Sequence, residues 1–498
     1  MITTLKLPPG IYRNGTEYQA LNRWYDSNLV RWFEGTIRPV GGWRPWQGGL
    51  PSEDLTVEGV ARGAYSWRTN DGTRYGAIGT NTNLYAFRAS SEMFDITPSG
   101  FTPGAADETQ SVAYGAGIYG STAYGIPRQE AGDPIPAATW ALDNFGQYLV
   151  GVSSTDGVLY VWDLDESGLA EAIVATSGTV PVDNFSLVVT SERFLFALGA
   201  NGNPRSVQWS DQEDYTAWEI AATTQAGSFE LQTNSDIRCG LKVRNQTLLL
   251  TGQDAHVSNY IGPPFIYGFE LIANGCGTIS KKSAVAVDNF AVWMSDNGFF
   301  IYDGYVKPLA CEVADYVFSR LNTSQKSKVY AVHDSSYAEV KFFYPMDDEN
   351  DSYVVWNYRE NHWSIGALDR TAGIDRDVFQ NPIMVDSAGS VFEHEVGFEY
   401  DDQTPYLESG PLQIGEGENT MMIRELIPDE STQGDVRARF ATKWYPNGTE
   451  YDYGPYSMAN PTSVRFSGRQ FKAKLESVEL TDWRVGNFRF DVVPGGRR

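Results

Sequence analysis

Residues 284–302 read AVAVDNFAVWMSDNGFFIY, and this stretch decides the fold. Ala284-Val285-Ala286, Ala291-Val292-Trp293-Met294 and Phe299-Phe300-Ile301-Tyr302 are short apolar runs rich in β-branched and aromatic residues. Such side chains suit a pleated, half-buried surface. Asp296-Asn297-Gly298 separates the last two runs with the residue types a tight hairpin demands. The stretch predicts several antiparallel strands packed into few residues.

The same unit recurs on both sides. Before it come Tyr65-Ser66-Trp67, Asp71-Gly72, Tyr75 to Gly79 and Leu84 to Phe87. Leu149 to Val152 and Val158 to Trp162, joined through Asp156-Gly157, form a second unit, and Ser186 to Val189, Phe194 to Ala197 and Ser206 to Trp209 a third. Leu248 to Leu250 and the run from Phe265 to Leu271 fall in a fourth. After the opening stretch, Val329 to Trp363 gives one more, through Val340 to Phe343 and Tyr353 to Trp356. Strand–turn units at a spacing of roughly 40–50 residues are the pattern of propeller blades, so the chain reads as an all-β propeller of about six blades. Glycine at 49 residues and aromatics at 13% agree with many short strands and tight turns rather than long helices.

Beyond about residue 400 the period changes. Val436, Ala438, Phe440, Thr442 and Trp444 alternate with Arg437, Arg439, Ala441 and Lys443. Phe471, Ala473, Leu475 and then Phe488, Phe490, Val492 alternate in the same way, as half-buried antiparallel strands do. The domain plan is therefore an N-terminal arm at 1–57, a propeller at 58–400 and a β-sandwich-like domain at 401–498 to which the arm may dock. One helix is expected at 312–321, where Val313, Tyr316, Val317 and Leu321 share a face. A Gly/Tyr-rich insertion near 114–126 breaks the propeller series.

The arm sets Trp24, Trp32, Trp43 and Trp46 among Arg23, Arg31, Arg38 and Arg44. That mixture suits an interface, since Trp and Arg dominate hot spots, or a DNA-binding arm. Equally, the tryptophans could lie buried under the main body.

The chain carries 63 acids against 38 bases, a formal charge of −25. So acidic a surface argues against tight wrapping of DNA, which needs cations to displace counterions. Only the ends are basic: residues 1–50 hold six bases and three acids, and residues 463–498 eight and four. Cys239, Cys276 and Cys311 form no CxxC pair, and four scattered histidines make a zinc site improbable. No signal-like apolar stretch opens the chain and no run of 18 apolar residues suggests a membrane span, so folding in cytoplasm is expected.

Catalytic motifs are missing from the text. His394-Glu395 has no second histidine at metalloprotease spacing. Asp347-Asp348-Glu349-Asn350-Asp351 lacks the ligand spacing and central glycine of a calcium loop, and reads as an acidic hairpin tip. Gly115-Ala116-Gly117-Ile118-Tyr119-Gly120 is a literal GxGxxG, but no helical period follows to receive a pyrophosphate. No cofactor and no metal are expected, and the chain reads as a non-enzyme.

Several stretches resemble the tail nozzle proteins of short-tailed bacteriophages, also known as packaged-DNA stabilisation or tail tubular proteins. They are Arg23 to Trp32 with Gly41-Gly42-Trp43; the Tyr114 to Gly125 loop with Trp140 to Gly146; Gln208 to Trp218; Tyr302-Asp303-Gly304 with the helix near Asp315; and Arg465 to Gln470 with Trp483 to Gly486. The likeness runs from end to end, and their order carries it. It implies a virion structural protein that is made in the host cytoplasm and forms a six-fold ring below the portal and its adaptor. Such a ring extends the DNA exit channel and helps retain and then conduct the genome. The implied partners are other copies of the chain, the adaptor or head–tail connector ring and through it the portal, tail fibres or a tail needle or plug, and DNA passing without sequence-specific binding. Within that reading, Tyr114, Tyr119 and Tyr124 are candidates for a tip or constriction loop. Arg23, Trp24, Arg31, Trp32, Arg465 and Arg469 are candidates for docking to the ring above. A receptor-binding or glycan-degrading tail component, or a cellular scaffolding propeller, are the alternatives.

Overall fold

The computed structural model describes residues 1–47, 55–89, 93–109, 134–413 and 419–496. The stretch at 284–302 forms three consecutive antiparallel strands, Ala284–Val287, Phe290–Ser295 and Gly298–Tyr302, and Val306–Leu309 completes a four-stranded blade. Five further blades follow the same order, innermost strand first. Their inner strands are Ala61–Arg68, Trp140–Phe145, Ser186–Val189, Ile237–Val243 and Tyr330–Asp334. A last blade starts at Ala372–Ile374, continues through Ile383–Val385 and Val391–His394, and takes its outer strand, Trp43–Pro45, from the arm. Each inner strand packs beside the next, and the last returns to the first. The ring closes at seven blades. The sequence count of about six missed the last one because it has inner strands of only three residues and an outer strand more than 300 residues away.

Two more sheets form the sandwich. One has the order Ile2–Leu5, Phe488–Pro494, Met421–Ile427, Thr462–Gly468. The other runs Trp24–Asn28, Tyr406–Ser409, Gln470–Ser477, Val436–Lys443, Tyr451–Ser457. Both therefore contain a strand from the arm. The period-two alternation faces inward through Val436, Ala438, Phe440, Thr442, Phe471, Ala473, Leu475, Phe488, Phe490 and Val492, all buried; Trp444, expected on the same face, lies past the strand end at Lys443 and is exposed. Phe440 and Phe466 pack with ring centres 5.0 Å apart, and Phe471 and Phe490 at 5.6 Å. The helix is Ala314–Arg320.

The arm is a strap rather than a free appendage. Ile11, Trp24, Val30 and Trp32 join one continuous apolar cluster with Phe299, Phe342 and Trp363 of the propeller and Leu407, Phe471 and Trp483 of the sandwich. Gly10, at φ +90°, lies where an added Cβ would fall 2.7 Å from the His362 Cβ, so only glycine lets the strap pass there.

Candidate functional site

The strap takes up three of the six docking candidates. Trp24, Trp32 and Arg31 are each 2% exposed and are spent on contacts within the chain, which corrects their assignment as docking residues. The Arg31 guanidinium donates to both Glu395 oxygens, at 2.6 and 2.9 Å, and to Glu339 at 3.1 Å, with Asp334 at 3.8 Å. It stacks 3.6 Å over the Tyr337 ring. Lys341 joins the cluster through Asp334 at 2.8 Å. Burial alone would pull the Arg31 pKa down, but Glu339 and Glu395 outweigh it and hold the pKa well above its ordinary value. Arg23, half-buried, pairs with Glu312 at 2.6 Å. Arg469 is also half-buried, and Arg465 is exposed. Tyr114, Tyr119 and Tyr124, with the GxGxxG, lie outside the described residues.

The feature with chemistry in it is the axis of the propeller. The seven inner strands surround a cavity of about 350 Å³, floored largely by small residues such as Ala64, Ala141, Gly240, Ala284, Ala286 and Gly373. Its charged lining is four cations, Arg62, Lys242, Lys281 and Lys282, against the one carboxylate of Asp143. That carboxylate is already occupied. It accepts from Lys242 Nζ at 2.9 Å, from the Tyr65 hydroxyl at 2.9 Å and from the Val189 amide at 2.9 Å.

The remaining cations are poorly matched. Among the described residues Lys281 donates only to the Phe185 carbonyl, at 3.2 Å, with its ammonium 5.3 Å from the Phe185 ring centre. Among the described residues the Lys282 ammonium has no hydrogen-bond or ion-pair partner. Loss of water depresses both lysines, to a pKa of about 8, and the distant Asp236 and Asp143 do not restore them. Arg62 is tethered by one nitrogen to Glu349, at 2.6 and 2.9 Å, which it shares with the buried Lys328. Its Nε and Nη1 are buried without an acceptor, as is the Tyr330 hydroxyl. The charged lining of the cavity is thus mainly cationic.

No motif in the sequence marks this site. Ser280-Lys281-Lys282-Ser283 reads as a polar turn on the surface. Only ring closure turns it toward an axis.

Elsewhere, the blade-four hairpin has two nine-residue strands, Asp254–Gly262 and Ile266–Asn274, and carries exposed apolar side chains near its end: Tyr260, Ile261 and Phe265. The acidic run at 347–351 closes the hairpin between Glu339–Pro345 and Asn350–Asn357, an acidic hairpin tip as expected, in which Glu349 serves Arg62 and Lys328 while Asp351 accepts the amide of Met346. No group of three or more metal-ligating side chains occurs among the described residues, nor a helix long and apolar enough to cross a membrane.

No family model and no curated protein matches the chain. Solved structures do. A catalytically inactive virginiamycin B lyase from Staphylococcus aureus with quinupristin aligns at 8% identity, covering 54% of this chain and 91% of its own, with a TM-score of 0.33. The Pan2 WD40 domain of Neurospora crassa aligns at 8% identity over 72% of this chain and 95% of its own, at 0.36. A puromycin hydrolase aligns at 10% identity over 82% and 62%, at 0.35. These likenesses belong to the propeller architecture. They also correct the reading of the chain as a non-enzyme: most of these neighbours, the lyase, the puromycin hydrolase and two glycoside hydrolases among them, are enzymes, so catalysis stays open for this chain.

Proposed function

We propose that this chain is a subunit of the tail nozzle of a short-tailed bacteriophage, one of six copies arranged around a common channel for the genome. The observation that carries the reading is the order of the nozzle-like stretches along the whole sequence, from Arg23 to Gly486. A β-propeller with an added β domain is the architecture that this resemblance implies.

Size and charge give the proposal physical content. The axial cavity of about 350 Å³ falls at the lower end of small-molecule pockets. A DNA duplex, whose major groove alone is about 12 Å wide, does not pass through it. A DNA channel must therefore run between copies. Residues 58–400 hold 43 acids and 20 bases, whereas residues 401–498 hold 15 and 12. In a ring, the acidic propeller would repel the phosphate backbone and let it slide, while the basic stretch at 463–498, with eight bases and four acids, would suit docking to an acidic surface above. The exposed apolar end of the blade-four hairpin is the kind of surface that an assembly covers.

The test is the mass, by light scattering, of the purified chain alone and mixed with the portal–adaptor complex of the same phage. The reading expects the complex to gain six copies. A stable trimer, or no binding, contradicts it and favours a spike-like component.

A further inference from the structure

We propose that the axial cavity of the propeller binds a small multivalent oxyanion, a molecule carrying phosphate groups or several carboxylates, held by Lys281 and Lys282 in the positive field of Arg62.

Buried cations are normally paired, because an ion removed from water without a partner costs several kcal/mol or changes its protonation state. Most buried cations here obey that rule: Arg31 and Lys341 share three carboxylates, and Lys328 has Asp107 and Glu349. Arg370, 4% exposed, is an exception that donates to His394 and to the Asp369 carbonyl instead. The axis departs from the rule as well. Two adjacent lysines end in the cavity without a carboxylate of their own, and the nearby acids are taken, Asp143 by Lys242 and Asp236 by Arg238 at 3.2 Å.

The charged lining has one sign apart from Asp143. Lys281 and Lys282 supply ammonium donors, while the Arg62 guanidinium, whose Nε and Nη1 are closed off like the Tyr330 hydroxyl, adds positive charge behind the wall. An oxyanion is the complement of such a set, since it brings only acceptors, and each bond to it is charge-assisted. Position agrees as well. Lys281 and Lys282 stand just before the fifth inner strand, Arg62 is the second residue of the first, and Tyr330 the first of the sixth. All seven strands lead off in the same sense around the axis, so these groups gather at one end of the cavity, away from Asp143 and Lys242 further along. Lys282 and Tyr330 are also joined as bridge partners. The volume suits a molecule of a few carbons bearing charged groups, not a polymer.

Binding carries a proton signature. An anion beside Lys281 and Lys282 favours their charged forms and returns their pKa toward the ordinary value. At pH 8, where each is about half protonated, binding takes up protons from buffer. At pH 6 both are already charged and the uptake vanishes.

The experiment is isothermal titration calorimetry of the full chain at low ionic strength with pyrophosphate and, separately, with citrate, at pH 8 and pH 6. Each is run in two buffers of different ionisation enthalpy. Saturable one-to-one binding, with proton uptake at pH 8 only, is expected, and the tighter of the two probes assigns the ligand as phosphate-bearing or carboxylate-bearing. The double variant Lys281→Met, Lys282→Met keeps the apolar stems and removes two desolvated charges, so it folds, which its near-UV circular dichroism verifies. It is expected to bind at least ten-fold more weakly. Neither probe binding at millimolar concentration, or equal affinity in the double variant, overturns the proposal. The outcome is independent of whether the chain assembles into a ring.

Discussion

The cluster around Arg31 buries its cations, the axial cavity leaves Lys281 and Lys282 half-buried, and the two solve the electrostatic problem in opposite ways. At Arg31, two cations meet three carboxylates, all at most 10% exposed, and every charge has a partner. At the axis, Lys281 and Lys282 meet a carbonyl and no free carboxylate. The first arrangement fixes geometry: it ties the strap to blade six and to Glu395, just past blade seven. The second leaves charge unsatisfied where the fold gains nothing from it. Completeness marks a structural cluster, and incompleteness in a cavity marks a site.

The harshest way to break the comparison is to remove the strap. Deleting residues 1–47 takes the outer strand from blade seven, a strand from each sandwich sheet, and Arg31 itself. The expected result is loss of cooperative unfolding, seen by circular dichroism on heating. A fold that survives with its melting transition intact would show that the strap is an accessory.

Single substitutions sharpen the contrast. Arg31→Met strands Glu339 and Glu395 with Lys341 alone, and should cost about 3–5 kcal/mol in denaturant unfolding. Lys282→Met removes an unpaired cation and should leave stability unchanged or higher. If the two variants lose similar stability, the distinction fails.

A pH series tests the cause. The folded-state pKa of Lys281 and Lys282 lies at about 8, below the 10.5 of the unfolded chain. Between those values the unfolded chain binds more protons than the folded one, so the handicap these lysines impose shrinks as pH rises. The stability gained by the double methionine variant over wild type should therefore be greatest below pH 8 and disappear toward pH 10.5. A pH-independent difference would place its origin in packing. The smallest effect is expected at Tyr330→Phe, which removes a hydroxyl that has no partner. It should change unfolding free energy by less than about 1 kcal/mol, because no hydrogen bond is lost.

How far the sequence could be read follows from where each interaction closes. Blades five and six were legible because their strands are consecutive and their turns, such as Asp296-Asn297-Gly298, lie within the same stretch. The seventh blade was not, because Trp43 pairs with His394 across most of the chain. The arm showed no period because successive pieces of it serve different sheets, with Thr3 opposite Phe490, Ser27 opposite Leu407 and Arg44 opposite Glu393. The Arg31 cluster was invisible for the same reason, its partners all lying more than 300 residues away. Lys281-Lys282 could be seen but not understood. Two lysines between serines look solvated until a closed ring places them at its axis.

The nozzle reading itself is tested most directly by the rotational symmetry of the chain bound to its portal–adaptor complex, seen in class averages by electron microscopy. The account predicts a six-fold ring with a central opening wide enough for duplex DNA, formed between copies and not through any one propeller. Three-fold density, or single copies scattered on the complex with no shared channel, would contradict it.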